Sequence, residues 1–234
     1  MNIIITMAGL GSRFTKEGYN CPKYMIEAKG KTLFEWSMLS LVDYNSHVNK
    51  YVFVVRKENN SKQFIIDEMK KYNITNVEVV EIDYLTDGQA TTAKLGIELC
   101  DENDSILIYN IDTYIEPYNL RYKDLVGDGH IPCFNAEGNH WSFVKEVDGK
   151  VVDVVEKNRI SNNCSLGAYY FKTAKLFNEI YDKYYTRKSS GEKYIAPMYK
   201  HMLDEGYVVT YSIIDINVVH VLGTPEELKA FINV

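Results

Sequence analysis

The sequence predicts an α/β fold, a doubly wound mixed sheet with a smaller β-rich lobe, and three observations carry that prediction. Over the first 112 residues, short β-branched runs alternate with segments whose apolar residues recur at helical spacing. After residue 130 the pattern changes to extended segments, with a hairpin signal at Asp148-Gly149. The composition, 46% hydrophobic and 25% charged over 234 residues, is that of a globular chain long enough to bury a core.

The elements follow in order. Residues 2–6, NIIIT, read as a buried strand, and a loop of small residues comes after it. Residues 33–43 have helical apolar spacing, and 51–55, YVFVV, form the next strand. Ser61 stands where a cap would open a helix over 61–72, with Phe64, Ile65, Met69 and Tyr72 on one face. A strand over 77–82, a helix over 88–99 and a strand over 105–112 complete the alternation. Such an order implies βαβ units with right-handed crossovers. In the second half, IPCF, WSFVKEV and KVVDVVEK are extended, and SLGAYYF (165–171) is a further strand. Helices are expected over 173–185 and 194–204, and strands over 207–214 and 216–222. A closing helix starts with Thr224 as cap and Pro225 at its first position.

Charge and cysteine content exclude several classes. The net charge of −6 provides no basic face for nucleic acid or an anionic membrane. No apolar run approaches the roughly 20 residues of a membrane span. Cys21, Cys100, Cys133 and Cys164 are scattered, with no zinc spacing, so reduced thiols in the cytoplasm are the expectation. The nineteen tyrosines are spread along the chain and read mostly as packing residues.

The chemistry concentrates in the loop after the first strand, Met7-Ala8-Gly9-Leu10-Gly11-Ser12-Arg13, and in Pro22-Lys23 beyond it. In open α/β sheets ligands bind at the carboxyl ends of the strands. Residues without bulk let backbone N–H groups approach a phosphate, and Arg13 and Lys23 add positive charge there. The loop matches neither the GxxxxGK[ST] nor the GxGxxG pattern. It resembles the opening signature of the sugar-nucleotide pyrophosphorylases, a nucleotidyltransferase family with (L/M)AxGxGxR followed by PKxL; here the second part is Pro22-Lys23-Tyr24-Met25.

That resemblance implies a Rossmann-like fold, with 1–234 as one domain whose 1–125 half is mainly nucleotide-binding and 126–234 half mainly acceptor-binding. It implies that Ala8 and Gly9 touch base and ribose through the backbone. Gly11, Ser12 and Arg13 would wrap a triphosphate, and Lys23 would bridge the α-phosphate and the incoming phosphate. Asp112, at the end of a strand and two residues after Asn110, suits Mg²⁺, which prefers one or two carboxylates plus substrate oxygens; it resembles the family's metal aspartate. The family offers a second aspartate in a W-x-D-x-G-T-P segment. Here Val221 precedes Leu222-Gly223-Thr224-Pro225 in its place. Either one carboxylate suffices or Asp215 takes over. His220 reads as a packed strand histidine.

Gly88 and Gln89, at the start of a helix, would meet the nucleobase, with Asp87 as an alternative helix cap. Glu156-Lys157 resembles the family's acceptor motif, although Asn158 replaces its proline. Gly167, in Gly167-Ala168-Tyr169-Tyr170-Phe171, and Glu192-Lys193 resemble further acceptor segments; taken singly, these charges would be solvated surface. The implied reaction transfers a nucleoside monophosphate from a nucleoside triphosphate to a small phosphorylated acceptor. The short chain and altered C-terminal segment are more similar to small cytidylyltransferases that serve capsule or surface-polysaccharide synthesis, which favours CTP. A UTP- or dTTP-dependent hexose-1-phosphate enzyme and a non-catalytic nucleotide-binding relative are the alternatives. For a choline acceptor, Trp141, Tyr169 and Tyr170 could supply an aromatic cage.

Overall fold

A computed structural model of the chain describes residues 1–186 and 191–233. In chain order the first half contains β1 (Asn2–Met7), α1 (Ser12–Lys16), β2 (Glu27–Ala28), β3 (Lys31–Thr32), α2 (Leu33–Leu39), β4 (Lys50–Arg56), α3 (Lys62–Lys71), β5 (Val77–Ile82), α4 (Gln89–Ile97), β6 (Ile106–Asn110) and β7 (Thr113–Ile115). The second half adds β8 (Gly129–Asn135), β9 (Ser142–Val147), β10 (Lys150–Glu156), β11 (Asn163–Ser165), β12 (Ala168–Phe171), α5 (Ala174–Thr186), α6 (Ala196–Asp204), β13 (Val209–Ile213), β14 (Val219–Val221) and α7 (Pro225–Asn233).

One ten-stranded sheet runs through both halves in the order β10-β9-β11-β8-β12-β6-β1-β4-β5, with β13 pairing β8. The pairs among β6, β1, β4 and β5 are parallel, as the alternating first half predicts. Strand β12 joins β6 antiparallel and carries the sheet into the second half. The continuous apolar run Ile3-Ile4-Ile5 is explained by burial on both faces. Ile4 lies against α4 and belongs to a buried cluster that also holds Ala93 and Ile97 of α4, Phe177 of α5 and Met198 of α6. Ile3 and Ile5 face Phe34 and Met38 of α2 and Ile65 and Met69 of α3. The mixed α/β class is therefore observed.

A satellite core seats the loop that follows β1. Phe14 of α1 packs with Leu33, Tyr114, Leu222 and the α7 residues Leu228 and Phe231. Thr224 caps α7, its hydroxyl accepting from the Glu227 amide at 3.1 Å, with Pro225 at the first helical position. At the hairpin between β9 and β10, Asp148 (φ 52°) and Gly149 (φ 76°) both take the left-handed conformation that this two-residue turn demands.

Local breaks separate observation from expectation. The helix expected over 33–43 ends at Leu39, and Val42–Tyr44 forms a 3₁₀ turn that seats the fully buried Tyr44. The strand expected over 105–112 stops at Asn110; the chain turns at Ile111-Asp112 and starts again as β7. That turn is fixed by Ser37 Oγ donating to the Ile111 carbonyl (2.8 Å) and Tyr109 OH donating to the Thr113 carbonyl (2.7 Å). The strand expected over 165–171 is two strands, broken at Gly167 (φ 75°). The expected strand over 216–222 opens with a 3₁₀ turn, Ile216–Val218.

Candidate active site

The carboxyl ends of β1 and β6 and the first turn of α4 open onto a cavity of about 620 Å³. It gathers Ala8, Gly9, Gly11, Ser12, Arg13, Lys23, Gly88, Gln89, Asn110 and Asp112, which the sequence scatters over 105 positions, into one wall. A Cβ on Gly9 or Gly11 would meet nothing within 4 Å, so the loop backbone faces open space rather than packed protein. Gly11 also takes a left-handed φ of 61° at the entry to α1. Arg13 is exposed at the cavity rim, while the next residue, Phe14, is buried and holds the turn in place.

Lys23 and Asp112 meet across this wall, Lys23 Nζ donating to Asp112 Oδ2 at 2.6 Å. Both side chains are about one-fifth to one-quarter exposed, at 21% and 24%. Burial pushes the Asp112 carboxyl up, but the Lys23 ammonium, the backbone and the Arg13 charge outweigh it and hold it below the usual carboxylate range. Asp112 sits at the head of the small β7–β14 ribbon, where its carbonyl accepts from the Leu222 amide at 2.8 Å.

Gln89 and Asn110 are joined directly, the Gln89 amide donating to Asn110 Oδ1. Asn110 in turn needs Gly167: a Cβ there would stand 2.2 Å from Asn110 Nδ2. Gly88 has a comparable structural reason. With φ at 149°, its Cβ would lie 2.4 Å from the Lys193 carbonyl oxygen. Two backbone bonds stitch these segments, Lys193 N to Asp87 O (2.8 Å) and Ala90 N to Lys193 O (2.9 Å). Asp87 does not cap α4; its carboxylate accepts from Thr91 Oγ1 and pairs with Lys193 Nζ at 2.8 Å.

A second cavity, of about 290 Å³, adjoins the first and shares Arg13, Gln89, Asn110, Asp112 and Glu192 with it. Glu156, Gly167, Trp141 and Tyr169 line it as well. Glu156 accepts from Ser142 Oγ, which also bonds the Tyr169 hydroxyl at 3.1 Å. Burial raises the Glu156 carboxyl, and the Ser142 and Lys157 contacts offset only part of that. Lys157 Nζ donates to Tyr194 OH, and that hydroxyl donates to Glu192 Oε2, so Lys157, Tyr194 and Glu192 form one chain of contacts. Lys157 and Lys193 face a third cavity, of about 710 Å³, which Glu156 and Glu192 also border. Lys193 differs from expectation in that its ammonium is held by Asp87 and Tyr181. Of the three candidate cage aromatics, Trp141 and Tyr169 reach the second cavity. Tyr170 does not: strand alternation sends it to the opposite face.

The structure does not bring Asp215 to these cavities. The residue is exposed, and its Oδ1 accepts from the Asn217 amide and side chain at 2.9 Å each. It starts a 3₁₀ turn, as an aspartate preceding a turn commonly does. His220 stacks on Tyr114 at 5.2 Å, a packing residue as expected. The acidic residue that does lie beside Asp112 is Glu227, on the first turn of α7. Its Oε2 is buried and makes no hydrogen bond. The pattern Thr224-x-x-Glu227 reads as a helix cap and hides it in the sequence.

A doubly wound sheet with a glycine loop, two cations and a carboxylate at its carboxyl edge matches what the resemblance to the nucleotidyltransferases implies. Among solved structures, the chain matches a nucleoside-diphosphate-sugar pyrophosphorylase from Vibrio cholerae RC9 at 34% identity, with a TM-score of 0.91 over 100% of both chains. The protein belongs to this nucleotidyltransferase family. The fold is also that of an inositol-1-phosphate CTP transferase from T. maritima (TM-score 0.78, 15% identity, 97% of this chain and 90% of that one). A Bacillus anthracis protein assigned as a glucose-1-phosphate thymidylyltransferase shares it too (TM-score 0.81, 16% identity, 100% of this chain and 94% of that one). No family model and no curated protein sequence matches the chain.

Proposed function

We propose that the protein transfers a nucleoside monophosphate, with CMP from CTP favoured, to a small phosphorylated acceptor and releases pyrophosphate. The observation that carries this reading is the junction of two cavities. Arg13, Gln89, Asn110 and Asp112 line both, so a triphosphate in the first would present its α-phosphorus to an acceptor in the second. Residues 1–125 would serve mainly the nucleotide and 126–234 mainly the acceptor, within one domain over 1–234. Ala8 and Gly9 would meet base and ribose, Gly88 and Gln89 the base edge, and Gly11, Ser12 and Arg13 the triphosphate. Glu156 and Glu192 would hold the acceptor, Lys157 would act on it from the adjoining third cavity beside Tyr194, and Gly167 and Lys193 would position Asn110 and the 87–90 loop.

The acceptor phosphate oxygen attacks the α-phosphorus in line, and the bond to pyrophosphate breaks. A phosphate dianion is already nucleophilic, so the site needs no general base. Lys23, freed from Asp112, bridges the two phosphates, and Arg13 meets the charge on the departing pyrophosphate. Mg²⁺ would neutralise phosphate charge as a Lewis acid when bound at Asp112. A strand-end carboxylate next to a buried acceptor oxygen without a partner fits a cation that takes oxygen ligands.

The reading suits a cytoplasmic step in capsule or surface-polysaccharide precursor synthesis. No helix among the described residues is long and apolar enough to cross a membrane, and all four cysteines are free. A second reading, a hexose-1-phosphate enzyme using UTP or dTTP, is favoured by the 34% identity to the Vibrio cholerae protein. One assay separates the two. Protein, Mg²⁺ and each nucleoside triphosphate are incubated with phosphocholine, amino-acid phosphates or hexose 1-phosphates, and pyrophosphate is measured. The expected result is acceptor-dependent release with CTP and a small non-sugar phosphate. Release only with UTP or dTTP and a sugar phosphate selects the second reading. Nucleotide binding without pyrophosphate from any pair makes the protein a non-catalytic relative.

A further inference from the structure

Two helices of this protein open with the same pattern, and only one of them uses it in full. At α2, Glu35 Oε2 accepts from the Thr32 amide at 2.8 Å while Thr32 Oγ1 accepts from the Glu35 amide at 3.1 Å, a complete reciprocal cap. At α7, the Glu227 amide donates to Thr224 Oγ1 at 3.1 Å, but the Glu227 side chain does not return to the Thr224 amide. It turns into the cavity lined by Arg13, Asn110 and Asp112, where Oε2 is buried with no hydrogen bond. A buried carboxylate oxygen without a partner is costly unless something neutralises it. Gly223 leaves the gap between the two acids open: a Cβ there would stand 3.3 Å from Asp112 Oδ2 and 3.5 Å from Glu227 Oε2. Val221, on the neighbouring strand, borders the same cavity with no oxygen to offer.

We propose that Glu227 is the second protein ligand of the divalent cation, acting with Asp112 and supplying the carboxylate that Val221 does not. The inference rests on the reading of the protein as a metal-dependent nucleotidyltransferase. Two carboxylate oxygens converging on one gap match the ligand count that magnesium takes from protein, the remainder coming from substrate and water. Glu227 belongs to a helix anchored by Leu228 and Phe231 in the satellite core, so its carboxylate is carried by a fixed element.

The test is a titration of Mn²⁺, followed by electron paramagnetic resonance, against the whole protein with and without CTP. Glu227→Gln is expected to weaken Mn²⁺ binding by at least about 10–100-fold, since even outer-shell partners of metal ligands act on that scale, with no loss of thermal stability. Val221→Asp placed in the Glu227→Gln protein is expected to restore at least part of that affinity. Mn²⁺ affinity of Glu227→Gln within twofold of wild type overturns the proposal. A Glu227→Gln protein that melts early and that Val221→Asp does not rescue overturns it too, and makes the residue structural. If Asp112→Asn abolishes Mn²⁺ binding while Glu227→Gln leaves it, this inference alone fails. If the wild-type protein binds no Mn²⁺ with or without CTP, the metal-dependent reading fails with it.

Discussion

Lys23 and Asp112 neutralise each other at 2.6 Å, and the proposed reaction requires them to separate. In that proposal, removing the lysine strips the transition state of a contact, and it leaves Asp112 in a half-buried place without its ammonium. Lys23→Met is therefore expected to lose turnover by about 10²–10³-fold, the scale of one lost transition-state donor. It should also lose about 1–3 kcal/mol of stability at pH 7, less than a fully buried pair because both groups keep some water. The sign of the pH dependence follows from the depressed Asp112 carboxyl. The native state gains from the pair above the ordinary carboxylate value of about 3.9 and loses that gain as pH falls through the lower native value. The deficit of Lys23→Met should thus be widest near neutrality and narrow in acid; urea melts between pH 3 and 8 that show a constant deficit contradict it. Single residues were unevenly legible. Asp112 could be found because a carboxylate at the end of an apolar strand is a local signal. Asp215 looked similar and proved to open a turn. Glu227 was masked because its spacing from Thr224 has a sufficient explanation in helix capping, and only the side-chain direction shows otherwise.

At the scale of elements, the loop before α4 and the segment before α6 behave as one unit. Gly88 lets the Lys193 backbone approach, two backbone bonds join the segments in that contact, and Lys193 Nζ pairs with Asp87 on the outside. Gly88→Ala cannot keep this geometry, since backbone rather than a flexible side-chain tip stands 2.4 to 2.7 Å from the new Cβ. The expected cost is about 1–3 kcal/mol, the range for forcing extra bulk into packed structure. The nucleotide and acceptor affinities should fall together, because Gln89 and Glu192 flank the stitch. Calorimetry showing weakened nucleotide binding but normal acceptor binding would separate the two loops. A Lys193→Ala protein should be milder, as its backbone bonds survive and the losses are an ion pair half open to water and a 3.3 Å contact with the Tyr181 hydroxyl. The elements themselves were readable wherever periodicity ran long, as in β1, β4, α3 and the hairpin at Asp148-Gly149. The interruptions were not readable. Gly167 breaks an apolar run to admit Asn110, a residue 57 positions away, and α2 stops at Leu39 although apolar spacing continues through Val42. Tertiary contacts decide both.

The whole molecule is organised by a sheet that passes from the parallel half to the antiparallel half through β12 and β8, and His130 sits in that passage. It is 2% exposed, with Nδ1 at 2.7 Å from Thr210 Oγ1 and Nε2 at 3.0 Å from Ser212 Oγ on the parallel neighbour β13. The Thr210 hydroxyl donates to the Val126 carbonyl at 2.8 Å, so it accepts from His130, which places the ring proton on Nδ1 and leaves Nε2 to accept from Ser212. Burial disfavours the charged ring and pushes its pKa down from 6.5 to about 4. The unfolded chain then binds a proton that the native state refuses, so native stability is full above about pH 6.5 and declines as pH falls toward 4. The difference between those values corresponds to a loss of up to about 3 kcal/mol, which levels off once the native ring also protonates. A wild-type minus His130→Gln comparison of unfolding free energies should show this slope, whatever the absolute cost of the substitution, because the carboxylates titrate in both proteins. Parallel curves between pH 7 and 4 would mean that the ring is not neutral and clamped. Since His130 borders none of the three cavities, nucleotide affinity per folded molecule should not follow the slope, which separates a weakening of the sheet from a titration in the site.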